Sequence, residues 1–193
     1  MKKLGILVLL AGAAFFALPR PVAAKSAAAS TFTVDPVHSA VLFRIQHMGV
    51  GYFHGRFNDI AGSFTLDEGA GAVEITVRGD SVDTNNAKRD GHLKSPDFFS
   101  CAEFPEITFR SSKLTDDGKG TYTCSGELSL HGVTRPLELR LARIGTGKGM
   151  QGETRTGFEG VLTIKRSDFG MTWRPEVLGD EVRITVAVEG VQQ

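Results

Sequence analysis

Histidine and cysteine are the side chains in this sequence best suited to nucleophilic, acid–base or metal chemistry, and it carries five of the first and two of the second. His38, His47, His54, His92 and His131 stand at no ligand spacing of the H-E-x-x-H kind, so no metal site is expected. No Gly-x-Ser-x-Gly elbow is present to frame a nucleophilic serine. Gly147-Lys148-Gly149-Met150-Gln151-Gly152 fits G-x-G-x-x-G letter by letter, but a dinucleotide loop needs a strand before it and a helix after it. Here both flanks alternate as strands, and the segment reads as a hairpin loop. His131 precedes Gly132 where a strand turns, the setting of a histidine that bonds backbone. One cluster is left. Asp83, Arg89, Asp90 and His92 fall within a short segment, while His38 and His47 bracket a long alternating stretch. A cation such as Arg89 can face a phosphate or a carbonyl oxygen. The same residues can equally hold their segment in place by capping and ion pairs.

The elements that would position these groups are strands. Val41, Phe43 and Ile45 fall on one side of the stretch from Ser39 to His47, with Arg44 and Gln46 on the other, the period of two of a half-buried strand. The pattern recurs at Val73, Ile75 and Val77, at Ile107 and Phe109, at Leu137, Leu139 and Leu141, and at Val182, Ile184, Val186 and Val188. Asp67-Glu68-Gly69, Asp116-Asp117-Gly118 and the glycine-rich loop at 145–149 are turn chemistry between such runs, so the strands pair antiparallel. About eight strands with one apolar face can close into a barrel or split into a sandwich. Only 85–94 loses the alternation; a short helix is expected there, capped by Asp83 or Thr84 and ending at Ser95-Pro96. Gly55, Gly62, Gly126 and Gly160 interrupt the inward rows, as bends or as places of close approach.

The chain balances 22 basic against 22 acidic residues and offers no basic face to nucleic acid. Lys2 and Lys3, the apolar run from Leu4 to Leu18 and the small residues Val22-Ala23-Ala24 read as a cleavable export signal over 1–24, since the run is short of the ~20 residues a membrane span needs. A small tether at 25–30 and one domain at 31–193 follow. Export would take Cys101 and Cys124 into an oxidising compartment, which favours a disulfide. The strand reading opposes it. Cys124 points inward with Leu128 and Leu130, opposite Ser111 if the Asp116–Gly118 turn makes a simple hairpin, while Cys101 lies in the loop after the helix.

Thr33-Val34-Asp35-Pro36-Val37-His38-Ser39, Gly55-Arg56-Phe57, Arg89-Asp90-Gly91-His92-Leu93-Lys94-Ser95, Phe104-Pro105-Glu106-Ile107-Thr108-Phe109, Gly126-Glu127-Leu128-Ser129-Leu130-His131-Gly132-Val133-Thr134 and Arg166-Ser167-Asp168-Phe169-Gly170 follow one another along nearly all of the chain beyond the expected export segment. In that order they resemble the YceI-like family. The resemblance implies an all-β fold, a single eight-stranded antiparallel lipocalin-like barrel with one short helical lid. It implies a soluble periplasmic protein whose cavity holds a polyprenyl chain, an isoprenoid quinone or a fatty-acid amide, with no cofactor beyond that lipid and no catalytic residue. Met171-Thr172-Trp173-Arg174-Pro175 departs from the family pattern by its bulk at one cavity mouth, and the two cysteines are not part of that pattern.

On this reading the lumen is lined by Val41, Phe43, Ile45, Phe53, Phe57, Phe64, Ile75, Val77, Phe109, Leu128, Leu130, Leu139, Phe158 and Leu162. An eight-stranded barrel is just wide enough either to fill with such side chains or to hold one ligand. His38, His47, Arg89, Asp90 and His92 are the candidates for a head-group or lid site. An enzyme acting on a bound lipid through His92, Asp90 and Arg89 is the alternative. A transient contact with a membrane or a membrane cytochrome accompanies the carrier reading, and monomer and homodimer both stay open.

Overall fold

The computed structural model describes residues 30–66 and 71–193. The expected export segment, most of the tether and the turn Asp67-Glu68-Gly69 lie outside the described residues. Ser30, expected to close the tether, instead begins the first strand, facing Leu66. The strands are β1 (Ser30–Val34), β2 (Ala40–His47), β3 (Gly51–Phe57), β4 (Ile60–Leu66), β5 (Val73–Arg78), β6 (Val82–Asp83), β7 (Glu106–Asp116), β8 (Thr121–Leu130), β9 (Val133–Lys148), β10 (Thr154–Lys165) and β11 (Leu178–Gln192), with one helix, α1 (Ala87–Leu93).

Every pairing is antiparallel, and the ladder closes on itself because β11 meets β1 as well as β10. The barrel has eight wall positions, two of them filled by broken strands. β1 and β2 occupy one position, and β3 and β4 the next. At the first break, 35–39, Glu189 of β11 keeps a partner for both its N–H and its carbonyl. Asp35 donates its N–H to the Glu189 carbonyl at 2.8 Å, and Ser39 Oγ accepts from Glu189 N–H at 3.0 Å. The strand therefore bends without opening the wall.

One stretch of wall does open. β3 pairs only with β2 and with the two residues of β6, so its free side beyond them lacks a neighbouring strand. The segment around α1 fills that gap. Its Phe99 ring meets Phe57 edge to face at 5.4 Å, and the Arg89 guanidinium lies 4.9 Å over Phe53. The helix is shorter than the 85–94 expected, and its cap is Asn86, whose side chain accepts from Arg89 N–H at 3.0 Å. Asp83 and Thr84 do not cap it. Asp83 turns the chain by accepting from Asn85 N–H, and Thr84 bonds Asp90.

The β7–β8 register also departs from expectation. The turn closes between Asp117 and Thr121, later than Asp116–Gly118, and this alone puts Cys124 opposite Leu114 rather than Ser111; a bulge between Arg110 and Lys113 lies further along the ladder. Both cysteines are free. Cys101 lies beside Gly79, where β5 has just ended, and Cys124 faces the far part of β7, so the length of the barrel wall separates them.

Candidate functional site

Period-2 alternation on closed strands sends one row of every strand into the barrel. All fourteen side chains expected to face the lumen do so: Val41, Phe43 and Ile45 of β2, Phe53 and Phe57 of β3, Phe64 of β4, Ile75 and Val77 of β5, Phe109 of β7, Leu128 and Leu130 of β8, Leu139 of β9, and Phe158 and Leu162 of β10. The sequence reading omitted the contribution of β11, where Val182, Ile184, Val186 and Val188 supply a wall. It also omitted the cover, in which Leu93 of α1 is joined by Phe98, Phe99 and Met171. Those four lie in loops or a short helix, where no period marks an inward face.

The lumen is neither solid nor roomy. About 180 Å³ stays open along its axis, below the ~300–1,000 Å³ of typical ligand pockets. Aromatic rings set that limit. Phe64 meets Phe158 edge to face at 5.6 Å, Phe158 meets Tyr122 at 5.2 Å, and Phe32 stacks on Phe64 at 5.2 Å. Arg143 covers this end, its guanidinium 4.9 Å over Tyr122 and 5.7 Å over Phe158. Admitting a long chain thus requires some of these rings to change rotamer. Only Tyr122, Cys124 and Arg166 among the lining residues carry a polar or thiol group. Burial pushes the Cys124 thiol up to about 12, so it stays protonated at neutral pH and behaves as a small apolar group.

Arg166 is the charged residue of the lining, and only its place in the family motif marks it in the sequence. It is 3% exposed. Its Nε donates to the Gly179 carbonyl at 2.9 Å, Nη1 to Met171 at 2.7 Å and Nη2 to Leu178 at 3.2 Å. Burial lowers its pKa and the nearby Asp180 carboxylate opposes that shift. An arginine stays charged under such conditions. It thereby ties the turn after β10 to the first residues of β11, at the lid end of the lumen.

At that end a vestibule opens, lined by His47, Tyr52, Arg89, His92 and Trp173 among others, and it shares Phe53, Leu93, Phe98 and Leu178 with the lumen. His47, Arg89 and His92 thus come together as the head-group reading supposed. His38 does not join them. It bonds Asp35 at 2.9 Å on the outside of the barrel, at the break between β1 and β2. Asp90 does not face the vestibule either: its Oδ1 accepts from the Thr84 N–H and hydroxyl. Arg89 grips the same threonine, Nε to Oγ1 and Nη2 to the carbonyl, both at 2.7 Å. Arg89 and Asp90 therefore hold the lid through Thr84 from two sides rather than through a direct ion pair. His92 is bonded to Asp97 at 2.9 Å and lies against the rings of Phe98 and Trp173. The bulk at 171–175 is thus the other half of the lid's clasp.

Asp35, His38 and Glu189 lie close enough to share a cation, but a guanidinium already fills their midst. Arg155 Nη1 donates to Asp35 at 2.7 Å and to Glu189 at 2.6 Å, and its Nε donates to Glu153 at 2.7 Å. The His38 ring and then Arg155 hold the Asp35 carboxyl well below the usual carboxylate range. This network pins the break between β1 and β2 to β10 and β11. His131 keeps to backbone as expected, its Nδ1 2.9 Å from the Phe169 carbonyl, and 147–152 is the β9–β10 hairpin.

A closed eight-stranded antiparallel barrel around an apolar lumen, covered at one end by a short helix, defines a lipocalin-like barrel. The particular family is the YceI-like one, to which this chain belongs: the YceI-like domain matches residues 32–190. The chain is 41% identical over 175 residues to Protein YceI of Escherichia coli, covering 88% of this chain and 91% of that one. Among solved structures it is similar to BcnA of Burkholderia cenocepacia, with a TM-score of 0.72, 24% identity, and 81% of this chain and 98% of the other covered. It is also similar to a polyisoprenoid binding domain from Saccharophagus degradans, with a TM-score of 0.67, 18% identity, and 84% and 98% covered.

Proposed function

We propose that this chain is a non-catalytic carrier, exported to the periplasm, that shields one long apolar lipid of the isoprenoid type in its lumen. A polyprenyl chain and an isoprenoid quinone fit that description, and a fatty-acid amide matches it in length and apolarity. One observation carries the reading: a hydrocarbon-lined lumen shares Phe53, Leu93, Phe98 and Leu178 with a vestibule that has an aromatic and cationic rim. Such a bore needs no directed contacts to retain a prenyl chain, since each CH2-sized group taken from water contributes roughly 0.8 kcal/mol. The narrowness of the lumen, set by its aromatic rings, fits a cargo that enters by displacing those rings. The polyisoprenoid binding of the Saccharophagus domain, which shares the fold, supports the same ligand class.

The side chains an enzyme would use are engaged in the lid: Arg89 and Asp90 on Thr84, His92 on Asp97. His47, and the Nη1 of Arg89 that its grip on Thr84 does not use, are left to meet a polar head group at the rim. The sole tryptophan, Trp173, lines the vestibule and reports occupancy. Titration with geranylgeraniol in dilute detergent should change its fluorescence saturably at one equivalent. A linear response without saturation would refute the carrier reading.

A further inference from the structure

The vestibule's outer lip is the β2–β3 hairpin, and its tip is built against ordinary turn chemistry. The turn is closed by the Val50 N–H donating to the His47 carbonyl at 3.0 Å. Its two central residues, Met48 and Gly49, both have positive φ, 53° and 67°. Such turns favour asparagine or aspartate before the glycine, because a long side chain is strained in that conformation. Methionine stands there instead. The tip is also apolar and bare: Met48 is 62% exposed, Val50 89% and Tyr52 56%.

The surroundings say what such a tip meets. Val50 and Tyr52 line the vestibule directly, beside Trp173. His47 and Arg89 line it too, and the Arg44 guanidinium lies 4.5 Å over the Tyr52 ring. His92 on the same rim is matched by Asp97, and Arg174 beside Trp173 by Glu176, which leaves Arg44 and Arg89 without a carboxylate within ion-pair distance among the described residues. Exposed aliphatic side chains next to tyrosine, tryptophan and arginine suit the boundary between phosphate head groups and acyl chains, where each finds its own layer. A bilayer is also a partner from which a lipid can enter the lumen without crossing water.

We propose that the β2–β3 hairpin tip docks the barrel on a phospholipid surface, with Met48 and Val50 inserted among the acyl chains and Arg44 and Arg89 facing phosphates. The cargo then passes through the vestibule beneath the lid. This rests on the carrier reading for its purpose but not for its test. Met150, fully exposed on the β9–β10 hairpin at the opposite end of the barrel, is the control, because it borders no vestibule.

The experiment is flotation of the whole protein with vesicles of phosphatidylethanolamine and phosphatidylglycerol, comparing it with M48N/V50T and M150N. Both changes in the double variant suit the backbone: asparagine tolerates positive φ, and threonine keeps the β-branch of valine. The fold should therefore be as stable or more so, which a thermal melt checks. Expected are binding by the parent and M150N and at least about a tenfold loss in the double variant, the consequence of removing two inserted apolar side chains. Equal binding by the parent and the double variant, no binding by the parent, or equal loss in M150N would overturn the proposal. So would a double variant that changes only the sedimentation of the protein without vesicles, which would make the tip a contact between copies. Geranylgeraniol delivered from detergent separates the two readings. A double variant that fills normally from detergent yet fails on vesicles supports docking, and a parent that docks but never fills refutes the carrier reading alone.

Discussion

The rings of His92 and Trp173 meet at 90° with their centroids 4.9 Å apart, joining the helical lid to the loop that leads into β11. Phe98 completes the clasp at 5.0 Å from His92 and 5.3 Å from Trp173. Three aromatic groups from two distant stretches of sequence thus hold the cover over an otherwise greasy bore.

Cutting that clasp should loosen the lid without collapsing the barrel. Trp173→Ala is expected to cost roughly 1–3 kcal/mol in urea denaturation, as loss of a half-buried aromatic contact does. Amide exchange at Leu93 and Phe99 should rise while that of β8 and β9 stays slow. Equal loss of protection throughout would show that the lid is not a separate unit.

Arg166 is the more severe test of the same end. Arg166→Met keeps much of the volume but leaves the carbonyls of Met171, Leu178 and Gly179 without their donor. A loss of about 3 kcal/mol or more is expected, and equilibrium unfolding measures it. A change below 1 kcal/mol would mean that water or rearranged backbone replaces the guanidinium.

Acid should unpin the break between β1 and β2. The folded Asp35 carboxyl titrates below its unfolded value, so its contribution to stability is complete above about pH 4 and is lost as pH falls through the folded value. Unfolding free energy measured from pH 6 downward should therefore drop on the acid side. Asp35→Asn should lower stability at pH 6 and flatten the acid slope, though not abolish it, because Glu153 and Asp180 are depressed too. An unchanged slope would refute the role given to Asp35.

The thiols make a separate prediction. In the native protein at pH 8, Cys124 should resist alkylation, since burial holds its thiol near 12. Cys101, half-buried and itself raised by burial, should react slowly. Both should react in urea without a reductant. A protein that alkylates in urea only after reduction would contain the disulfide that the structure lacks.

Much of this was legible in the sequence. The inward rows follow from alternation alone, and all fourteen proposed lumen residues face the bore because a closed antiparallel wall leaves an apolar row nowhere else to go. What escaped notice was set by contacts between segments far apart in the chain. Arg166, lying between Lys165 and Ser167, carries no sign of being buried; three carbonyls reached only through the fold bury it. Cys124 faces Leu114 because the β7–β8 turn closes between Asp117 and Thr121, later than the Asp-Asp-Gly triplet marks. His38 and Asp90 looked like rim residues by their neighbours, yet the bend at 35–39 turns one outward and Thr84 claims the other. Asn86 caps the helix rather than the expected Asp83 or Thr84 because all three are good cap types, and only the path of the chain chooses among them.

Native mass spectrometry of the full chain freshly purified from the cells that express it, followed by solvent extraction and identification of what is released, tests the central claim most directly. One equivalent of a prenyl chain, quinone or fatty amide, displaced when Leu128 and Leu139 are both replaced by tryptophan to fill the bore, is the predicted result. A protein that is empty as isolated and stays empty after incubation with geranylgeraniol or a long-chain quinone would contradict it, and would mean that the bore is a filled core.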